Sequence, residues 1–568
     1  MAIAGKDKKI IKRLIKTQSL AEVTVESGVS EQQIKEYLCR IWGEEKYQRV
    51  IFKPPSLDNN HLPGPVSEQK PAGNFSLIGW WRENYRLVIA LIVGVWLLYG
   101  PFVNNAFLSD DIAGIVNNPD IFNFGWIWQN PTIILNRLIY WFLANVFGTI
   151  PWPFRAVSVL VHSATVIGVL VLVDKLINKT VATIAAILVA IHPIMIESVI
   201  WISGTGYSWY GALLVWSFIF YIKAGKNWKH WLISVGLFLA ALQFSEKAAI
   251  LPGILILYHL VIDQKRGKWW HLSPYIVLSS LWLLVNLIGV GPRLDYLQSE
   301  YNTHGDQAST SLSPVAQIPI AVNNYLSLVV WPDKLTLYHS DFSTSKIVFY
   351  LMICLTIIYL LVTGWCLWQG FRGKRNMGLI GFFLSWFIIG LTPTLLPIGV
   401  AWIVAERYVY FGAIGIFILM AWGGVKLSQK PQWTEPVWIV IATLICLLMV
   451  RTLIRNNDWR DQDHLWLAAE RTSPSSQQNH NNLGDLYGRR GDLERAEWHF
   501  KKAIEINPHY ADAMHNLANT YVQMGRYDEA IELYQEALKN KPSLWQSEEQ
   551  IKRVKEYLEK SAENDSPE

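Results

Sequence analysis

Charge is scarce in this chain. Asp, Glu, Lys and Arg supply 17% of its 568 residues, hydrophobic residues supply 51%, and the mean hydropathy is +0.20. That balance, at a length beyond one ordinary domain, excludes a single small solvated fold. Cysteine is nearly missing. The four present, Cys39, Cys354, Cys366 and Cys446, are scattered, which excludes a disulfide framework and any zinc-type spacing. An early apolar run is missing too: the first ~80 residues are polar and basic, so no cleavable signal peptide is expected before the first span. The net charge of +5 arises mostly from short basic loops and a basic start, and implies no nucleic-acid partner.

Apolar residues instead form long runs between about 87 and 453, the pattern of a polytopic membrane protein. Runs at 87–103, 153–173, 180–196, 207–221, 231–244, 248–262, 274–291, 347–368, 377–398, 409–425 and 437–453 predict about eleven spans. The charges between them test the arrangement. With the N-terminus inside, the cytoplasmic loops hold Lys175 and Lys179; Lys223, Lys226 and Lys229; Lys265, Arg266 and Lys268; Arg372, Lys374 and Arg375; and Lys426 and Lys430. Each is basic, as the positive-inside rule requires. Two further apolar stretches, 132–150 and 315–331, carry Asn136, Arg137 and Asn145, and Asn323 and Asn324. Counting either alone would put the later basic clusters outside, so both are expected to be helices lying at the outer surface.

One short stretch then stands out. Asp110 and Asp111 follow the first apolar run, and an Asp within a bilayer costs about 2.5–3.5 kcal/mol on insertion scales. A hydrated turn also suits Asp and Asn. By the predicted topology, however, Glu197, Glu246-Lys247 and Glu406-Arg407-Tyr408 fall on the same outer side as the acid pair. Ionisable groups gathered at one membrane face mark a candidate site.

The two ends are polar. Residues 1–53 read as a small helical cytoplasmic segment with a loose resemblance to a helix-turn-helix, from Leu20 through Gly28 and Ser30 to Ile34 and Leu38. Its second helix carries Glu31, Glu36 and only Lys35 between Ser30 and Cys39, a poor phosphate-binding surface, so nucleic acid is not expected. Residues 54–84 read as a linker, 85–453 as the membrane domain, 454–561 as helical repeats with a capping helix, and 562–568 as a disordered tail. The repeats have a 34-residue period: Leu483, Tyr487, Gly491, Ala496, Phe500, Ala503 and Pro508 recur as Leu517, Tyr521, Gly525, Ala530, Tyr534, Ala537 and Pro542. This is the tetratricopeptide pattern of stacked helix pairs. Trp466, Ala469 and Pro474 mark a partial unit before it. The fold class is therefore all-α: a membrane helix bundle followed by an α-solenoid.

In order along the chain stand Asp110-Asp111, Arg137, His162, His192-Pro193 with Glu197, Trp331-Pro332 with Leu335 and Tyr338, Glu406-Arg407-Tyr408, and then the repeats. This set resembles the transmembrane and tetratricopeptide repeat-containing O-mannosyltransferases and their prokaryotic relatives, within the C-type membrane glycosyltransferase superfamily. The resemblance runs from about 85 to 545. There are departures. Gly204-Thr205-Gly206-Tyr207 stands where the family often has an Arg, Glu246-Lys247 replaces Lys-Glu, and only two full repeats are present. These leave a different sugar or acceptor open.

The resemblance implies transfer of a mannose-like sugar from a polyprenyl-phosphate carrier to a protein or glycan hydroxyl outside the cytoplasm, with inversion, in a prokaryotic inner or plasma membrane. Asp110 is the expected base, with Asp111 orienting it or acting in its place. Arg137, Lys247 and Arg407 are candidates for the carrier phosphate. His162 and His192 are candidates for phosphate or sugar, and a structural role inside the bundle is equally open to His162. Glu197, Glu246, Glu406 and Tyr408 complete the expected donor site, the first and third either touching sugar or pairing with the cations; Glu406 and Arg407 are also open to being a structural pair. Metal dependence is undecided, a divalent ion being possible for carboxylates and not expected from the resemblance. Trp126, Trp128 and Trp201 serve as interfacial anchors or stack on sugar or lipid. The repeats are expected to dock the acceptor or another protein. The competing reading is a non-enzymatic membrane scaffold whose repeats assemble an envelope or secretion complex.

Overall fold

The computed structural model describes residues 29–42, 76–225, 227–264, 269–288, 314–342, 345–395 and 402–564. The chain divides into two units, Met1–Gly73 and Asn74–Glu568. In the first, helix α1 (Glu31–Trp42) is capped by Ser30, whose Oγ accepts from the Gln33 amide at 3.4 Å, and Ile34 and Leu38 are fully buried. The helix expected before it, from Leu20, lies outside the described residues, as do the basic residues Lys226, Lys265, Arg266 and Lys268.

Among its described residues the second unit is built of helices joined by turns and loops, with no strand. Its first helix, α2 (Leu77–Tyr99), begins earlier than the apolar run does, so residues 76–84 are not linker. Two interactions explain the early start. Ser76 Oγ accepts from the Gly79 amide at 3.2 Å, and Trp80 Nε1 donates to Asp174 at 2.6 Å. Then come α3 (Ile134–Phe147), α4 (Pro151–Leu176), α5 (Lys179–Ile191), the single turn α6 (Glu197–Ile200), α7 (Gly206–Ala224), α8 (Trp228–Leu242), α9 (Leu251–Tyr258), α10 (Ser273–Ile288) and α11 (Pro314–Val330). The bundle closes with α12 (Lys346–Phe371), α13 (Arg375–Leu395), α14 (Tyr410–Ser428) and α15 (Thr434–Asp458).

Among the described residues, seven helices are long and apolar enough to cross a membrane, and eight if α5 and residues 193–200, bent by 56°, count as one broken span. The described residues of all eleven predicted runs are largely helical, but α7, α8 and α9 fall short of that measure. Turns capped at Asn227 and Ser245 cut α8 and α9 short. The two stretches set aside as surface helices form α3 and α11, of 14 and 17 residues.

Small residues and cross-helix polar bonds hold the bundle, as expected where lipid gives no hydrophobic drive between helices. Tyr275 Oη donates to Ser234 Oγ at 2.6 Å, and Ser217 Oγ to the Ser234 carbonyl at 2.7 Å. Between α13 and α14 the backbones nearly touch: a Cβ on Gly390 would lie 2.7 Å from the Gly412 Cα, and one on Gly415 would lie 2.5 Å from the Phe383 carbonyl. This crossing fixes the start of α14, directly after Glu406 and Arg407. At the opposite end, Arg375 donates to the Leu176 carbonyl at 2.9 Å, joining two of the basic loops.

The repeats follow without a gap: α16 (Gln462–Thr472), α17 (Gln477–Arg489), α18 (Leu493–Ile506), α19 (Ala511–Gln523), α20 (Tyr527–Asn540) and the capping α21 (Trp545–Asn564). Gly491 and Gly525, one period apart, take φ of +77° and +76° in the turns between paired helices, where a side chain would be strained. Residues 562–564 of the expected tail belong to α21.

Filling the α13–α14 crossing should be costly. Gly412→Val is expected to lose about 1–3 kcal/mol by overpacking. Gly423→Ala, on the same helix with open space around it, should be neutral or slightly stabilising. Thermal unfolding of the detergent-solubilised full chain checks the contrast.

Candidate active site

The site is built around the break after α5. Pro193 cannot donate, and His192, in an extended conformation, accepts from the Ile194 amide through Nδ1 at 3.3 Å. The chain therefore leaves the helix and crosses the end of the bundle as a series of tight turns, carrying Glu197, Trp201 and Ser203. His192 is 1% exposed and packs on Phe417, so it works as a cap here.

Glu197 is fully buried. One carboxylate oxygen accepts from the Arg407 amide at 3.0 Å and the other is paired with the Arg407 guanidinium. That guanidinium also lies over Trp201 and Tyr408, at 5.2 and 4.9 Å from the ring centroids. Beside it, Lys247 Nζ sits 3.5 Å from the Tyr408 centroid and 3.3 Å from Tyr207 Oη. Ser245 Oγ accepts from the Lys247 amide at 3.2 Å, turning the lysine inward, while its neighbour Glu246 is exposed. Two cations thus share an aromatic wall formed by Trp201, Tyr207 and Tyr408. Such a wall orients cations without neutralising them.

The acid pair meets the same crossing segment from its other side. Asp111 is fully buried, accepting from the Ser203 amide at 2.7 Å, the Ser203 hydroxyl at 2.6 Å and the Leu108 amide at 3.3 Å. Asp110 is exposed, accepting from the Ser109 hydroxyl at 3.4 Å. The adjacent carboxylates therefore differ in kind: one is anchored, the other faces outward. Ser109, at φ +48°, makes the turn that leads into the pair.

Arg155 holds this loop in place, a residue the sequence reading passed over. It is fully buried; Nε donates to the Ile200 carbonyl at 2.9 Å, and its terminal nitrogens hold the carbonyls of Asn105 and Ala106. One guanidinium thereby ties the acid loop to the crossing segment. Tyr140 Oη adds a bond to the Ile202 carbonyl at 2.9 Å.

Other expected site residues lie apart. Arg137 is half-buried on α3, donating to the Trp126 carbonyl at 2.6 Å with that ring 4.7 Å away. His162 is buried in the bundle, bonded to Tyr410 Oη at 2.8 Å and edge-on to Tyr99. Glu406 does not pair with its sequence neighbour Arg407. It accepts from Arg455 at 3.0 Å, with His339 3.7 Å away. Among the described residues, no three His, Cys, Asp or Glu side chains gather as a metal site.

The described helices thus form a bundle with carboxylates and aromatic-backed cations at one end, continued by helical repeats. Residues 131–290 match the family described as Dolichyl-phosphate-mannose-protein mannosyltransferase, and residues 475–543 match the Tetratricopeptide repeat. The chain is similar to Protein O-mannosyl-transferase TMTC3 of Homo sapiens, 23% identical over 80% of this chain and 55% of that protein. It is also similar to Protein O-mannosyl-transferase Tmtc3 of Drosophila melanogaster, 24% identical over 63% and 44%, and to TMTC4 of Homo sapiens, 23% over 69% and 62%. The chain is thus similar to tetratricopeptide repeat-containing O-mannosyltransferases along most of its length. The chain spans about half the length of the TMTC3 proteins it matches.

Burial raises the Asp111 pKa above its ordinary value, against the opposing pull of the Ser203 bonds and Arg155. The folded chain then holds that proton more tightly than the unfolded one. Stability from neutral Asp111 is full below the unfolded value of about 3.9 and is lost as pH rises through the folded value. Asp111→Asn removes this titration but turns an amide toward the Leu108 N–H, a mismatch worth about 1–3 kcal/mol. The variant should therefore melt below the wild type in acid, and the gap should narrow as pH rises; parallel melting curves from about pH 4 to 8 measure it.

Proposed function

We propose that this chain is an inverting membrane glycosyltransferase. It moves mannose from a polyprenyl-phosphate carrier to a protein hydroxyl on the extracytoplasmic face, and its repeats dock the acceptor. The observation that carries this reading is the meeting, on residues 197–207, of the acid loop with Arg407 and Lys247.

The chemistry follows from the charges. The acceptor hydroxyl attacks the anomeric carbon and gives its proton to Asp110, while Asp111 and Arg155 hold the loop in place. The bond to the carrier oxygen breaks with its electron pair, leaving a polyprenyl phosphate. Arg407 and Lys247 stabilise that developing charge, the large electrostatic contribution at such a site. Arg137, half-buried on α3, is an entry contact for the headgroup. Sidedness rests on the basic loops at the far end: with those in the cytoplasm, the acids and the repeats are outside. The resemblance to mannosyltransferases supports the lipid-linked donor, and needs no metal in the reaction as drawn.

Asp110→Asn in the purified full chain should lower mannose transfer from a polyprenyl-phosphate donor to peptide by about 100- to 10,000-fold, the usual contribution of a general base. Donor binding should change little. Lys247→Met should instead raise the donor KM, by about tenfold for a lost charge-assisted contact. Wild-type transfer by the Asp110 variant would refute the base assignment. A wild-type chain that neither transfers nor binds the donor would favour the scaffold.

A further inference from the structure

Arg455 lies at the end of α15, outside every motif that pointed to the site. It is 1% exposed. One terminal nitrogen donates to Glu406 at 3.0 Å, and the other lies 3.4 Å from Asp458. Glu406 is fully buried and directly precedes Arg407. The Glu406 carboxylate is also close enough to Glu197 to repel it.

The charges therefore alternate through the protein: Glu197 with Arg407, then Glu406 with Arg455 and Asp458. A second path joins the same two arginines. Arg407 lies over Trp201, Trp201 packs against Trp459 with centroids 6.2 Å apart, and Arg455 lies 5.5 Å over Trp459. Both paths end at the junction with the repeats. Asp458 faces Arg471 on α16 at 3.9 Å, and the carbonyls of Trp459 and Arg460 accept from Asn105 and Ala106 in the acid loop, each at 3.0 Å.

We infer that Arg455 is a positioning residue: by neutralising Glu406 it keeps the Arg407 guanidinium available to an anionic phosphate donor. The reason is electrostatic. Without Arg455, the buried Glu406 carboxylate next in sequence to Arg407 is left uncompensated beside the Glu197–Arg407 pair, and the surplus negative charge repels phosphate. A buried pair broken on one side leaves its partner uncompensated, whereas removing both charges together restores balance. This inference rests on the donor role proposed for Arg407.

The test is a charge cycle in the full chain: Arg455→Met, Arg455→Lys, Glu406→Gln, and Glu406→Gln with Arg455→Met. Arg455→Met should raise the donor KM by about tenfold or more, the scale of one unpaired buried charge, with kcat within about threefold. Arg455→Lys should recover part of the loss, and the double variant most of it. A merely structural arginine would lower stability and kcat together and leave the donor KM near its wild-type value.

Binding of polyprenyl monophosphate, followed by native mass spectrometry, reads the same cycle without turnover. Wild-type binding without transfer would count against the enzyme reading alone. An Arg455→Met variant that binds like wild type, or a double variant no better than the single, would overturn the inference.

Discussion

Glu197 must not be left alone. A carboxylate buried at the broken end of a membrane helix carries a desolvation penalty of several kcal/mol unless it is paired and hydrogen-bonded. Arg407 supplies both, through its amide and its guanidinium. Much of the surrounding geometry serves that pairing. The helix breaks at Pro193 so that Glu197 reaches the start of α14, and glycines at the α13–α14 crossing let that start approach. Trp201 and Tyr408 then cover the guanidinium.

From this pair outward the end of the molecule is one connected polar layer. Ser203 carries it to Asp111, and Arg155 carries it to the backbone of the acid loop. Glu406 and Arg455 carry it to the repeat junction, where Tyr338 stacks on Trp466 of the first repeat helix. A helical tail attached in this way is a continuation of the site's framework. An acceptor held on the repeats would be held against the same residues that set the acid loop.

Much of the fold was legible because membranes impose simple rules. Apolar runs must be helical, basic loops take one side, and a 34-residue period with glycine in the turns has one structural solution. The convergence of Asp111, Glu197, Lys247 and Arg407 on one end was likewise readable from loop parity. Two cations were missed for the same reason. Arg155 sits near the start of an apolar run and Arg455 just beyond the end of another, and neither belongs to the motifs that mark the site. Arg455, on the side expected to be poor in positive charge, was a usable signal of a buried acid partner.

The amino-acid sequence by itself determined the helices, the repeats and the end of the bundle at which the ionisable groups gather. These depend on local patterning and on the cost of placing charge in lipid. It could not determine partnership. That Glu406 turns to Arg455 instead of its neighbour Arg407, and that Asp111 is anchored by Ser203 while Asp110 faces out, depends on residues 49 and 92 positions apart. Only the tertiary structure decides which charge compensates which, because burial and distance, rather than adjacency in the chain, set electrostatic energy.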